Sequence, residues 1–438
     1  MKRLFTTALV AAVISMGVSA QQFIVLSEGG GDYGNFAPMH LSADGKYLCG
    51  NTLEYPFVTD WQNDNDIVYF KDASFYVTGA EARWVTNEGL AVGYDDNGGL
   101  LLDFATGKYT VVEPVDVDAG VNRVICEAIS EDGSIIIGTV EGLDWTEQPY
   151  YWENGVKKKF AIPTSEEAGF KVNGAVPKFI SKDASVVVGF LLDELGMRPM
   201  LIWHRQDDGE YKYDLVFKDY FQWSSWENGP EGDKPYTTFM PMALSPDGKL
   251  VAMCIRENDG VSLFTIKKVG VYDIATGDLE VSTLDGDHGI NPDIEADCNA
   301  TAIANDGTVI GYVGDLDRRA FLMHPEEMQP SLLSMEFDEF ENLYKYDLYL
   351  SHTVFSISED GRYITGSGAT FDNSGWYAGT EAYVLDTAKG IDSTPSITVK
   401  KQAQPEYYTI EGRKLNTPSK GLNIIKDSDG ITKKVLIK

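Results

Sequence analysis

A chain of 438 residues with 67 acidic and 36 basic side chains carries a formal charge of −31, which argues against nucleic acid as a partner, because phosphate is gripped by Lys and Arg. Its hydrophobic content of 43% and aromatic content of 12% exclude a disordered chain and leave material for a large core.

Residues 1–20 have the layout of a secretory signal. Lys2 and Arg3 supply positive charge, Leu4 to Val18 an apolar stretch, and Val18-Ser19-Ala20 a small-residue cleavage site before Gln21. No later run is apolar for the length of a membrane-spanning helix, so no transmembrane segment is expected. The reading is an exported chain, extracellular, at the cell surface or in the periplasm. Gln22–Ser27 is then a lone apolar strand with no hairpin partner nearby.

From residue 36 the chain repeats itself. The stretch Ile129-Ser130-Glu131-Asp132-Gly133-Ser134-Ile135-Ile136-Ile137-Gly138 has relatives starting at Leu41, Val85, Ile180, Leu244, Ile303 and Ile357, at steps of 44 to 64 residues. Each copy is a hairpin: an apolar strand, a Ser-x-Asp-Gly turn, then a β-branched strand that commonly ends on Gly. Two further short strands follow in each repeat, giving four, a to d. In the second repeat these are Ala82–Thr86, Leu90–Tyr94, Gly99–Phe104 and Lys108–Glu113. Self-similarity on this scale with four antiparallel strands per unit predicts a β-propeller. The seventh repeat supplies strand a (Leu348–Ile357), b (Arg362–Ser367) and c (Glu381–Asp386) but no d, and Gln22–Ser27 is free to take that place. The fold expected is all-β: a seven-bladed propeller over residues 21–391, a linker over 392–405, and a small β module over 406–438.

The repeats resemble two families of extracytoplasmic propeller. Ile303–Gly311 with Ala320-Phe321-Leu322-Met323 is similar to the HAF-type repeat, and Ser245-Pro246-Asp247-Gly248-Lys249 to the repeat of TolB-like and peptidase-associated propellers. The resemblance covers roughly residues 36–392 and implies architecture, not activity. After the linker, Tyr407–Leu415, Lys420–Ile425 and Lys433–Lys438 look like three strands. They resemble the C-terminal sorting-type tail of exported Bacteroidetes proteins, which implies the export machinery as a partner.

In a propeller the a–b and c–d turns share one face and the b–c and d–a connections the other. The second face is expected to carry Trp61, Trp145, Trp376 and Tyr377 in b–c loops and Trp223 and Trp226 in a long d–a connection, a set suited to flat ligands. Trp84, Trp152 and Trp203 fall on strands and are expected in the core; Cys49, Cys126 and Cys254 also fall on strands, and the four cysteines, Cys298 included, are read as core thiols, with a disulfide the alternative in an oxidising compartment. The run Asp285–Asp293 alternates carboxylates but lacks the closing Glu of an EF-hand, so no metal is assigned. No nucleophile elbow, H-E-x-x-H helix or phosphate loop occurs, so no catalytic residue and no cofactor are assigned. The leading expectation is a non-catalytic propeller that binds a glycan, peptide or protein through the aromatic loop face. The alternatives are a glycoside hydrolase or lyase with carboxylates around the axis, and a scaffold that binds no small ligand.

Overall fold

The structure is a computed structural model. It describes residues 22–26 and 37–387, apart from 53–54, 64–65, 74–79, 194–198, 218–235, 259–265, 284–287, 291–296, 315–316, 350 and 372–373, together with the strands of a C-terminal sheet. The chain divides into two compact units, one Ala20–Gly390 and the other containing Ile391–Lys438.

The first unit is a seven-bladed β-propeller of four-stranded antiparallel blades. Blade 1 has strands a to d at Ala37–Leu41, Tyr47–Asn51, Pro56–Asp60 and Asp66–Tyr69, and blade 2 at Glu81–Val85, Leu90–Asp95, Gly98–Asp103 and Lys108–Pro114. Blade 3 runs Val121–Ile129, Ile135–Gly142, Glu147–Glu153 and Val156–Lys159; blade 4 runs Val172–Ile180, Val186–Asp193, Met200–Arg205 and Tyr211–Leu215. Blade 5 runs Tyr236–Leu244, Leu250–Asn258, Ile266–Asp273 and Leu279–Val281, and blade 6 Cys298–Ile303, Val309–Val313, Arg319–Met323 and Pro330–Leu332. Blade 7 contributes Thr353–Ile357, Tyr363–Phe371 and Tyr377–Asp386, and its fourth strand is Gln22–Val25, paired antiparallel with Gln22 opposite Asp386 and Val25 opposite Tyr383. The expected closure by the N-terminal strand is what the fold contains. It ties the N-terminal strand to the outer edge of blade 7 through backbone hydrogen bonds and covers an edge that would otherwise be open to pairing.

The apolar faces of the blades meet their neighbours in successive seams. Ala128, Ile137 and Tyr151 of blade 3 pack on Val187 and Trp203 of blade 4, while Leu41 and Leu48 of blade 1 pack on Val384 of blade 7. Trp152 and Trp203 are fully buried in two of these seams, as their strand positions imply. All four cysteines are buried and none forms a disulfide.

One expectation fails at the start of blade 7. Leu348 does not open a strand, because Glu341–Tyr349 forms a helix, preceded by a short one at Leu333–Glu336. Leu343 and Tyr346 of the longer helix bury against Val354, Tyr383 and Leu385 of blade 7, so packing between blades 6 and 7 decides the segment. The C-terminal sheet has four strands instead of three: Glu406–Thr409, Lys414–Leu415, Gly421–Lys426 and Thr432–Ile437, with Glu406–Thr409 and Gly421–Lys426 central. No helix among the described residues is long and apolar enough to cross a membrane.

Candidate functional site in the propeller bore

The repeated motif builds the wall of the bore, and its chemistry explains its spelling. In blade 3 the Ser130 hydroxyl donates to Asp132 Oδ1 (2.7 Å) and accepts the Ile135 N–H (3.0 Å), while Asp132 Oδ1 accepts the Ser134 N–H (3.0 Å). Gly133 supplies the left-handed φ of +72° that the turn requires. The same Ser-to-Asp bond recurs at Ser42, Ser181, Ser245 and Ser358, at 2.6 to 2.8 Å.

The Gly that ends the motif has a different task. Gly138 lies opposite Cys126, where strand a bulges between Cys126 and Ala128, and a Cβ on Gly138 would sit 1.9 Å from the Ile125 carbonyl oxygen. A bulge inserts a residue without a partner and re-aims its side chain. Every blade has this bulge at the same place, and the inserted residues are Met39, Arg83, Glu127, Lys178, Met242, Thr301 and Phe355. Six of these seven side chains line a cavity of about 170 Å³ on the propeller axis.

The bore is two-sided. Blades 5 to 7 present Ala243, Ala302 and Phe355, whereas blades 2 to 4 present an alternating chain of charge. Glu81 accepts from Arg83 (2.9 Å), Arg83 donates to Glu127 (2.7 Å), and Lys178 donates to the same Glu127 oxygen (2.5 Å). Burial works to raise the Glu127 carboxyl, but Lys178 and Arg83 outweigh it and hold the group below the usual carboxylate range. Burial pushes Lys178 down, and Glu127 only partly offsets this. Beside this arc the His40 ring stacks on Trp84 at 3.8 Å between centroids. Burial lowers His40 to about 3, so the ring is neutral; its Nδ1 accepts the Val85 N–H at 3.4 Å, which places the remaining proton on Nε2.

At the a–b end the bore is crossed by an ion pair and ringed by hydrogen bonds. A circuit of hydrogen bonds runs from blade to blade: Asp44 N–H to Asn87 Oδ1 (2.9 Å), Asn87 N–H to Glu131 Oε1 (2.7 Å), Glu131 N–H to Lys182 O (3.0 Å) and Lys182 N–H to Pro246 O (2.9 Å). It continues from Asp247 N–H to Asn305 Oδ1 (2.9 Å), Asn305 N–H to Glu359 O (3.0 Å) and Glu359 N–H to Ala43 O (2.8 Å). Lys182 of blade 4 also reaches the Glu359 carboxylate of blade 7, blades that are not neighbours, so this ion pair spans the bore. Burial raises Glu131 at this floor, with the Asn87 N–H opposing it.

The aromatic residues expected on the loop face divide. Trp145 lies in the b–c loop of blade 3 and is 76% exposed; Trp376 and Tyr377 lie at the b–c connection of blade 7 and are 75% and 57% exposed. Blades 3 and 7 stand on opposite sides of the ring, so the two groups are separate contact points. Trp61 is a correction. It follows strand c of blade 1, so it belongs to the c–d turn on the other face. It is buried there, donating Nε1–H to the Gly45 carbonyl (2.8 Å) with its ring edge against Tyr363. The polar run that follows it is the c–d turn, not the b–c loop. Trp223 and Trp226 lie outside the described residues, as does most of the run Asp285–Asp293. Trp84 packs against the core clusters of blades 2 to 4, as expected, and also lines the bore cavity.

Sequence reasoning passed over the bore residues. A signal was present, since ionisable side chains occupy the same place, two residues before the closing aliphatic of strand a, in three successive repeats: Arg83, Glu127 and Lys178. Among the described residues no group of three or more His, Cys, Asp or Glu side chains is placed to hold a metal ion.

No family model matches the chain, and no curated protein matches it. Solved structures do. Puromycin hydrolase aligns over 91% of this chain and 61% of its own at 12% identity with a TM-score of 0.51. TolB from Acinetobacter baumannii aligns over 69% of this chain and 66% of its own at 14% identity with a TM-score of 0.38. TolB from Agrobacterium tumefaciens aligns over 57% and 80% at 17% identity with a TM-score of 0.36. The chain thus spans under two thirds of the hydrolase, and at these identities the likeness to that structure is one of fold alone.

Proposed function

We propose that the chain is an exported, non-catalytic binding propeller that takes a glycan, peptide or protein partner on its b–c/d–a face. Residues 1–20 act as the export signal, 392–405 as a linker and 406–438 as a sorting-like module. The observation that carries the reading is Trp145. Its backbone sits at φ +63°, a conformation that costs an L-residue roughly 1–2 kcal/mol, and its indole is 76% exposed. The loop is built to hold it: Gly142 N–H donates to Thr146 O (3.0 Å), Trp145 N–H to Gly142 O (3.0 Å), and Asp144 Oδ1 accepts the Thr146 hydroxyl (2.7 Å). Strain combined with an outward aromatic is what a contact residue shows, and a packing residue shows the reverse. Trp376 and Tyr377 on blade 7 give the second contact, and two contacts across the ring favour an extended partner over a single sugar ring. Trp223 and Trp226 belong to the same proposal.

A hydrolytic reading has less support. A glycosidase needs two accessible carboxyl groups of different protonation, yet Glu127 and Glu359 at the bore are each bonded to cations, which leaves Glu131 among the described residues that line it. A glycan and peptide array probed with the full chain, then with Trp145→Asn and Trp376→Ala, tests the proposal. Ligands lost in both variants support it; a hit that survives both, or hydrolysis of an arrayed glycan, counts against it.

A further inference from the structure

The charged arc of the bore ends unfinished. Reading round the ring, Glu81, Arg83, Glu127 and Lys178 alternate in sign, and the next blade breaks the series with Met242. Arg83 uses all three of its nitrogens, Nε and Nη2 on Glu81 and Nη1 on Glu127. Among the described residues Lys178 bonds only Glu127, which leaves two of its three ammonium protons without a protein partner there, and the side chain lines the cavity. His40 is alike: its Nδ1 is used by the Val85 N–H and, among the described residues, its Nε2–H has no protein acceptor, while its ring continues the Trp84 face. Opposite lie the apolar side chains Phe355, Ala302 and Ala243, with Thr301 and Ser356 between them, whose hydroxyls are bonded to the Ile310 carbonyl and the Leu41 N–H. The cavity, about 170 Å³, matches in scale the roughly 150 Å³ that accommodates a benzene ring. The Lys182–Glu359 pair bridges the bore at the a–b end of the cavity.

We propose that this cup is a binding site for a small carboxylate attached to a planar apolar body. The carboxylate takes the vacant place after Lys178, extending the alternation of charge, and the ring lies between the His40–Trp84 face and the apolar wall of blades 5 to 7. A cationic ligand would meet Lys178 and Arg83 at the wall, and a purely apolar one would leave the ammonium protons unpaired and dry, which is costly. A free aryl acid and the C-terminal residue of a peptide share this chemistry. The site is separate from Trp145 and Trp376 and does not depend on what they bind.

Calorimetric titration of the full chain tests it, with 4-phenylbutyrate and indole-3-acetate each run beside its primary amide, and N-acetyl-glycyl-phenylalanine run beside its own amide. Saturable binding of the acids, at least tenfold tighter than the amides, is expected. Lys178→Met should abolish that preference, and Ala302→Phe, which fills the apolar side without touching the charged arc, should block binding of both acid and amide. Binding of the aryl acids alone assigns the site to a free small molecule; binding of the dipeptide acid as well assigns it to a chain terminus. Absence of saturable binding by any acid at millimolar concentration overturns the proposal, as do amides that bind equally well. The acid-to-amide comparison on the unsubstituted chain decides this whether or not Lys178→Met folds.

Discussion

Trp145 and Trp61 were indistinguishable as aromatic residues in polar surroundings, and the structure assigns them opposite roles that a paired substitution can separate. Trp145 is 76% exposed, so about a quarter of its side chain is covered. For a residue that buries 150–250 Å² in a core this is roughly 50 Å², or ~1.2 kcal/mol at about 25 cal/mol per Å². Asn tolerates the left-handed backbone far better than Trp does, which returns about 1 kcal/mol. The two effects cancel, and Trp145→Asn should leave stability within ~1 kcal/mol of the parent. Trp61 is 6% exposed and its indole N–H is bonded to Gly45. Trp61→Ala removes packing at the seam of blades 7 and 1 and should cost about 3–5 kcal/mol. Urea denaturation followed by far-UV circular dichroism measures both, and the array screen reads ligand loss in Trp145→Asn. Should Trp145→Asn cost more than about 2 kcal/mol, the indole is a packing residue in the sense of core truncations and the binding assignment collapses.

Other expectations concern the bore and its wall. Gly138→Ala places a Cβ against the Ile125 carbonyl at 1.9 Å and should destabilise the propeller by about 1–3 kcal/mol, seen as a lower urea midpoint; an unchanged midpoint would mean the bulge can relax. Ser130→Ala deletes the acceptor of the Ile135 N–H and should cost about 1–2 kcal/mol by the same assay, whereas blade 6 already carries Ala304 at the equivalent place. His40 takes up a proton at about pH 6.5 when unfolded but only near 3 when folded, so its contribution to stability is complete above the first value and is lost as pH falls toward the second. Between about pH 7 and 5, His40→Gln should therefore lose about 1–2 kcal/mol less stability than the parent; parallel losses would place the proton elsewhere.

The ring of blades was legible because its cause is local. Turn chemistry at Ser130-Glu131-Asp132-Gly133 and its relatives must be spelled out in each copy, as must the strand alternation that follows. The missing fourth strand of blade 7 and the orphan Gln22–Ser27 could be matched for the same reason. What escaped was set by registration between strands. Gly138 and its counterparts were read as ends of the repeat, although each marks a bulge that points the residue on the neighbouring strand into the bore. Once that register is known, Arg83, Glu127 and Lys178 become one group. Trp61 was misplaced by a few residues of loop assignment, enough to move it to the other face. The helix at Glu341–Tyr349 answers to burial of Leu343 and Tyr346 on blade 7, which no local pattern announces.

The pairing of Gln22–Val25 with Tyr383–Asp386 carries a consequence for how the molecule is assembled. Blades 1 to 6 can each form from contiguous chain as it emerges, but the ring cannot lock until its earliest strand meets nearly its latest. Such a contact is the most distant in sequence that the domain contains, and bringing those ends together is the slow entropic step of folding. Until then the last blade exposes a bare edge and the seam at Leu41, Leu48 and Val384 stands open. The first blade is thus also the last to be secured, and a peptide mimicking residues 22–26 would act as a kinetic inhibitor of ring closure.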